Sequence, residues 1–153
     1  MVTELRGLRP EDFALFHPGG ALGRKLLTRI RDVMATGDKL PLVGLSVKVS
    51  DALFEMTSKG YGATIIVDDG GDLAGIFTDG DLRRLIARKG VECLSESVSG
   101  VMIATPLVIA PDRLAAEAVR IMEQREISAI IVVEGKRPVG ILHLHELLKA
   151  GVA

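Results

Sequence analysis

The sequence predicts an α/β protein built from two pseudo-symmetric β-α-β-β-α repeats, preceded by an N-terminal helical linker. Three observations predict it. First, Gly75-Ile76-Phe77-Thr78-Asp79-Gly80-Asp81-Leu82 returns as Gly140-Ile141-Leu142-His143-Leu144-His145-Glu146-Leu147, an offset of 65 residues. Upstream, Ala52-Leu53, Met56 and Val67 return as Ala118-Val119, Met122 and Val133 at an offset of 66, and Val33-Met34 returns as Val101-Met102. A repeat kept through helix, strand and turn is a duplicated supersecondary unit. Second, helical spacing and short apolar runs alternate in the same order in both copies. Third, each copy is only about 60 residues, a length that buries roughly 60% of its unfolded surface against about 70% for 150 residues, so the halves are expected to share a core.

The elements follow in order. Pro10-Glu11-Asp12-Phe13 starts a short helical turn that His17-Pro18-Gly19-Gly20 interrupts. From Ala21, the apolar residues Leu22, Leu26, Leu27, Ile30, Val33 and Met34 fall near helical spacing, which predicts an amphipathic helix feeding the first repeat. Residues 1–30 thus read as the tail of an upstream domain plus a linker helix, with repeats over 31–90 and 100–149. In the first repeat Ser50-Asp51 is expected to cap a helix running to about Lys59, with Gly60 and Gly62 at its end. Strands at 63–67 and 73–77 flank the turn Asp68-Asp69-Gly70-Gly71-Asp72, and Thr78 opens a helix to about Ala87. The second repeat predicts a helix over 112–125, strands at 129–133 and 138–142 around the turn 134–137, and a last helix. A strand near Leu107-Val108-Ile109 precedes it, matched less clearly by 43–47. The polar stretch 89–99 is expected to link the copies.

Composition excludes several classes. Hydrophobic residues make up 48% of the chain without any Trp, and the mean hydropathy is +0.33, so Ile, Leu, Val and Met must fill the core. Nineteen basic residues against twenty acidic ones leave a net charge of −1 with no basic stripe, which predicts no nucleic-acid partner. Cys93 alone cannot form an internal disulfide. With no signal peptide and no long apolar run, the expectation is a soluble cytoplasmic protein without a membrane partner.

The repeated signature G-h-h-T-x-x-D-L, where h is apolar, in a β-α-β-β-α order resembles the tandem cystathionine-β-synthase (CBS) domain pair over residues 31–149. The resemblance implies a pseudo-two-fold disc, the Bateman module, with two ligand clefts between the copies. A narrower likeness joins it. Glu11-Asp12-Phe13-Ala14-Leu15-Phe16-His17-Pro18-Gly19-Gly20-Ala21-Leu22-Gly23-Arg24 and GIFTDGDLRR, Gly75 to Arg84, resemble the D-arabinose 5-phosphate isomerases, in which a sugar isomerase (SIS) domain precedes two CBS domains. That likeness implies an upstream SIS domain, a homo-oligomer, and an effector that is an adenylate or a cytidine sugar nucleotide such as CMP-Kdo. No cofactor is implied.

Thr78 and Asp81 admit two readings. As a capping box, Thr78 accepts from a first-turn N–H while Asp81 reaches back to the positive helix end. As a ligand site, the same strand-to-helix junction favours phosphate, and a carboxylate accepts from ribose hydroxyls. By resemblance to nucleotide-binding CBS domains, Asp81 would hold the ribose and Thr78 the phosphate. The acidic pair Asp79 and Asp81 is expected to work against a naked triphosphate, with Arg83 and Arg84 offsetting the charge.

In the second copy His143 and Glu146 stand where Thr78 and Asp81 would be expected, so the module is expected to be asymmetric, with the better nucleoside site in the first copy. His143-Leu144-His145 lacks the partners of a zinc set, and no metal site is expected. His17 by itself reads as a helix-entry histidine beside Pro18, Gly19 and Gly20; the likeness to the isomerases implies that in a full-length enzyme it would be a catalytic base, moving a proton between C1 and C2 of a sugar phosphate. This chain alone lacks the rest of such a site and is not expected to turn over. A second functional class stays open, in which the pair is an assembly module and Thr78 and Asp81 only cap. So does a third, a CBS pair from another protein.

Overall fold

The computed structural model describes residues 27–152, which form two three-stranded sheets, each flanked by helices. Helix α1 spans Ile30–Val33, β1 Leu42–Gly44, α2 Val49–Lys59, β2 Ala63–Val67, β3 Leu73–Thr78 and α3 Asp79–Lys89. The second half repeats the order with β4 Val108–Ile109, α4 Ala115–Arg125, β5 Ala129–Glu134, β6 Arg137–His143 and α5 Leu144–Lys149. In both sheets the first strand runs parallel to the second and the second antiparallel to the third. The registers correspond too: Leu42 faces Ile65 as Val108 faces Ile131, and each hairpin slips at its second strand's end, at Ile66/Val67 and Val132/Val133.

The apolar strands are buried on both faces, and strand alternation sorts their side chains. Ile66 and Phe77 face the helices of their own half, in a cluster with Val49, Ala52, Met56, Leu82 and Leu85. Ala63 and Ile65 face the other way and pack with Ile131 and Ile141 of the second sheet. Ile65 and Ile131 are fully buried, each a contribution of about 1.5 to 3 kcal/mol. The halves therefore share a sheet-to-sheet core, as their small size demands.

The leading segments are exchanged between halves. Ile30, at the start of the first repeat, lies in the core of the second with Ile109, Met122, Leu142 and Leu147. Its N–H donates to Arg113 O at 2.9 Å, and the Ala35 and Ile141 backbones bond reciprocally at 3.0 Å. In pseudo-symmetric fashion, Ile103 and Ile76 exchange backbone bonds of 2.8 and 3.0 Å. This crossing needs glycine. A Cβ on Gly75 would lie 2.6 Å from both Ile103 O and Met102 Sδ, and one on Gly140 would lie 2.5 Å from Met34 Sδ.

Several expectations about boundaries are corrected. The continuous helix expected through Ile30 and Met34 is broken: Arg29 is extended and bridges to Leu114, which leaves only the single turn α1. Long-range pairing overrides helical spacing there; residues 21–26 and His17 lie outside the described residues. Helix α2 begins one residue before Ser50, after Lys48, without a side-chain cap, because Val49 N–H finds Glu96 O at 2.9 Å. Helix α4 starts at Ala115 rather than Asp112, and Glu117 accepts from Leu114 N–H at 3.2 Å. The stretch expected to be a polar link carries two 3₁₀ turns, Val91–Ser95 and Val98–Gly100. Cys93 and Val98 there are fully buried in the first half's core. No helix among the described residues is long and apolar enough to cross a membrane.

Candidate functional site: a cleft between the repeats

The β3–α3 junction opens onto a cleft of about 650 Å³, within the range of small-ligand sites. The first half supplies Gly62, Ile76 and the turn Thr78–Asp81 with Arg83 and Arg84; the second supplies Ile103, Thr105–Leu107, residues 126–129 and His143. Thr78, Asp79, Asp81 and His143 thus share one cleft, while Glu146 does not line it. His17 lies outside the described residues.

Local sequence explains the junction. Thr78 is extended and caps α3: its hydroxyl accepts from Asp81 N–H at 3.1 Å, and its own N–H donates to Asp81 Oδ2 at 2.9 Å. Asp79 N–H donates to Gly62 O at 2.9 Å, which ties the helix start to β2. Arg84 donates to Asp81 Oδ1 at 2.8 Å and Arg83 to Asp79 Oδ2 at 2.7 Å. Each carboxylate is therefore already paired with an arginine on its own helix. The Asp79 and Asp81 amides are also committed, so the exposed guanidiniums of Arg83 and Arg84 are principal donors for an anion on this wall.

The second junction has the same frame with different chemistry. Leu144 N–H donates to Ser128 O at 2.8 Å, as Asp79 does to Gly62. The cap is His143 Nδ1, which accepts from His145 N–H at 3.2 Å, so the neutral ring carries its proton on Nε2. Partial burial pushes the His143 pKa below its usual value, the neighbouring His145 adds to this, and Glu146 opposes it. The Tyr61 ring lies against the imidazole, with centroids 6.3 Å apart at 49°. Glu146 is exposed and approaches Lys149 Nζ at 4.0 Å. Among the described residues no cluster of three or more His, Cys, Asp or Glu is placed to hold a metal ion.

Sequence reasoning missed Glu126. It lines the cleft in a left-handed conformation, φ 56° and ψ 44°, and among the described residues it alone of the non-glycines has positive φ. The offset of 66 sets it against Gly60, a mismatch that was available in the sequence.

Fold and cleft together define a tandem module, two like repeats with a cleft between them. Residues 30–88 and 98–153 each match the CBS domain model, and the chain belongs to the CBS domain family. It is 50% identical over 152 residues to the arabinose 5-phosphate isomerase KdsD of Pseudomonas aeruginosa, a match covering 99% of this chain and 46% of that protein. The chain thus spans about half the length of the curated relatives it matches. Among solved structures, a CBS-domain-containing protein from Agrobacterium tumefaciens superposes with a TM-score of 0.73 at 25% identity, covering 82% of this chain and 94% of that one. CBSX2, solved in complex with AMP, superposes with a TM-score of 0.68 at 25% identity, covering 82% of this chain and 96% of that one.

Proposed function

We propose that this chain is the regulatory CBS pair of an arabinose 5-phosphate isomerase and binds a nucleoside phosphate or sugar nucleotide in the cleft before α3. One observation carries this reading: a helix N-terminus bearing Thr78, Asp79 and Asp81 faces a wall from the other repeat across about 650 Å³. Asp81 then accepts from ribose hydroxyls, and Thr78 and the neighbouring arginines meet the phosphate. The 50% identity to KdsD supports the parent enzyme, and the AMP complex of CBSX2 supports the ligand class.

In this reading residues 1–30 close an upstream SIS domain, in which His17 serves the interconversion of ribulose 5-phosphate and arabinose 5-phosphate. The parent enzyme is cytoplasmic and homo-oligomeric, supplies Kdo synthesis, and takes CMP-Kdo as a feedback effector. The test is a thermal-shift panel of AMP, ATP, CMP and CMP-Kdo. A ligand at 100 times its Kd stabilises the fold by about 2.7 kcal/mol, a shift of several degrees. No shift with any of the four refutes the sensor, and turnover of arabinose 5-phosphate by this chain alone refutes its non-catalytic role.

A second reading rests on the completed capping box, in which Thr78 and Asp81 already satisfy each other. The pair is then an assembly module. Asp81→Ala separates the two. The sensor loses binding beyond what the cap loss of about 0.5 to 2 kcal/mol explains, and the assembly module loses only stability. Asp81→Asn keeps an acceptor for Thr78 N–H and serves as the folded control.

A further inference from the structure

We propose that Glu126 sets the charge selectivity of this cleft, so that it takes nucleosides carrying a single phosphate, free or esterified, and turns away di- and triphosphates. The inference rests on the nucleotide-binding reading above and transfers the charge discrimination from Asp79 and Asp81, where the sequence placed it, to a residue on the opposite wall.

The charges decide this. Of the acidic residues lining the cleft, Asp79 is paired with Arg83 at 2.7 Å and Asp81 with Arg84 at 2.8 Å. The Glu126 side chain has no hydrogen bond or ion pair among the described residues. His143 donates no charge near neutrality, since its Nδ1 accepts from a backbone amide. The lining side chains therefore sum to about one negative charge, and that charge is Glu126.

The backbone shows that Glu126 is not there for the helix end. Helix α4 closes with the bond pattern of a Schellman motif, Ile127 N–H to Met122 O at 3.0 Å and Glu126 N–H to Glu123 O at 3.4 Å. That motif favours glycine at the left-handed position. The first repeat has glycine in the matching place: Gly60, φ 81°. A glutamate accepts the steric penalty of this conformation while its carboxylate makes no structural contact in return. Strained non-glycine positions of this kind cluster at ligand sites. Here the strain turns the chain so that an uncompensated carboxylate borders the cleft.

The size of the effect follows from Coulomb's law. Across several ångströms of solvent a unit charge changes affinity about threefold per added phosphate charge, so AMP and ATP, which differ by roughly two charges, separate by about tenfold. The experiment is calorimetric titration of AMP and of ATP, without divalent cations and at low ionic strength, into the wild-type chain and into Glu126→Gln, Glu126→Gly and Glu126→Lys. Wild type is expected to prefer AMP, Glu126→Gln to narrow the preference five- to tenfold, and Glu126→Lys to invert it. Glu126→Gly should show the same narrowing with an equal or higher Tm, because it relieves the backbone. In 0.5 M NaCl the difference between wild type and Glu126→Gln should collapse, as screening requires. If ATP binds wild type as tightly as AMP, or if Glu126→Gln leaves the ratio within twofold, the charge assignment is overturned while nucleotide binding stands. If neither nucleotide binds wild type or any variant, both readings fall.

Discussion

Replacing Gly75 by alanine tests the exchange of leading segments that joins the two halves. The new Cβ would lie 2.6 Å from Ile103 O, a backbone atom, and 2.6 Å from Met102 Sδ. The thioether can swing aside. The carbonyl cannot move without lengthening the 2.8 and 3.0 Å bonds between Ile76 and Ile103. Overpacking of this kind costs about 1 to 3 kcal/mol, and weakening one buried hydrogen bond adds about 0.5 to 1.5 kcal/mol. The expected loss is therefore about 2 to 4 kcal/mol, a Tm fall of roughly 4 to 16 °C for a chain of this size. Chemical denaturation followed by far-UV circular dichroism measures it. Gly140→Ala should cost less, because its closest contact, at 2.5 Å, is Met34 Sδ, and the Ala35 carbonyl is 3.1 Å away. Ile76 and Ile103 also line the cleft, so Gly75→Ala should weaken any ligand bound there. A Gly75→Ala chain within 0.5 kcal/mol of wild type, or one less affected than Gly140→Ala, would show that the close approach does not hold the halves together.

Three further outcomes are expected. The Arg113 guanidinium, followed by the Leu114 amide, holds the Glu117 carboxyl down at about 2 against an ordinary 4.5; its folded-state pKa is depressed, so its contribution is complete above about pH 4.5 and lost as pH falls toward 2. Glu117→Gln should flatten the acid side of the stability curve in that window, and a carboxyl titration by NMR giving Glu117 an ordinary pKa would contradict this. His143 also has a depressed pKa, led by burial, but for a base this means that the unfolded chain takes up the proton first. Stability should fall as pH drops below about 6.5, and His143→Asn, which keeps a cap acceptor, should remove part of that slope; an unchanged slope rejects the role. Cys93 is fully buried, so its thiol should react with an aromatic disulfide reagent only as fast as the first half opens, and reaction at the rate of a free thiol would place it outside the core.

Much of the fold was legible because it follows local rules. Thr78 followed three residues later by Asp81 marks a helix start through its own hydrogen bonds. The turn at 68–72 closes by Asp68 Oδ1 accepting from Gly70 and Asp72 N–H, bonds that span at most four residues. The errors lie where a distant partner replaces a local one. Val49 is capped by Glu96 O, and Arg29 leaves the helix to bridge with Leu114. Cys93 reads as part of a polar link because only its packing against α2 and α3 reveals it as core. In the site, Thr78, Asp79, Asp81 and His143 were readable from the repeated motif. Glu126 was readable too, as a glutamate opposite Gly60, but a helix-end mismatch acquires meaning only when that end borders a cleft.

By itself the sequence determined that the chain is a duplication, the order and approximate place of the main strands and helices of each repeat, and that the two helix starts differ in chemistry, since periodicity and capping act within a few residues. Tertiary structure decided which half each leading segment completes, and that Glu126 lines the cleft without the ion-pair partner that Asp79 and Asp81 have on their own helix. Contacts as distant in sequence as Ala35 with Ile141 settle the first, and the approach of the α4 end to the β3–α3 junction across the cleft settles the second; no local pattern encodes either.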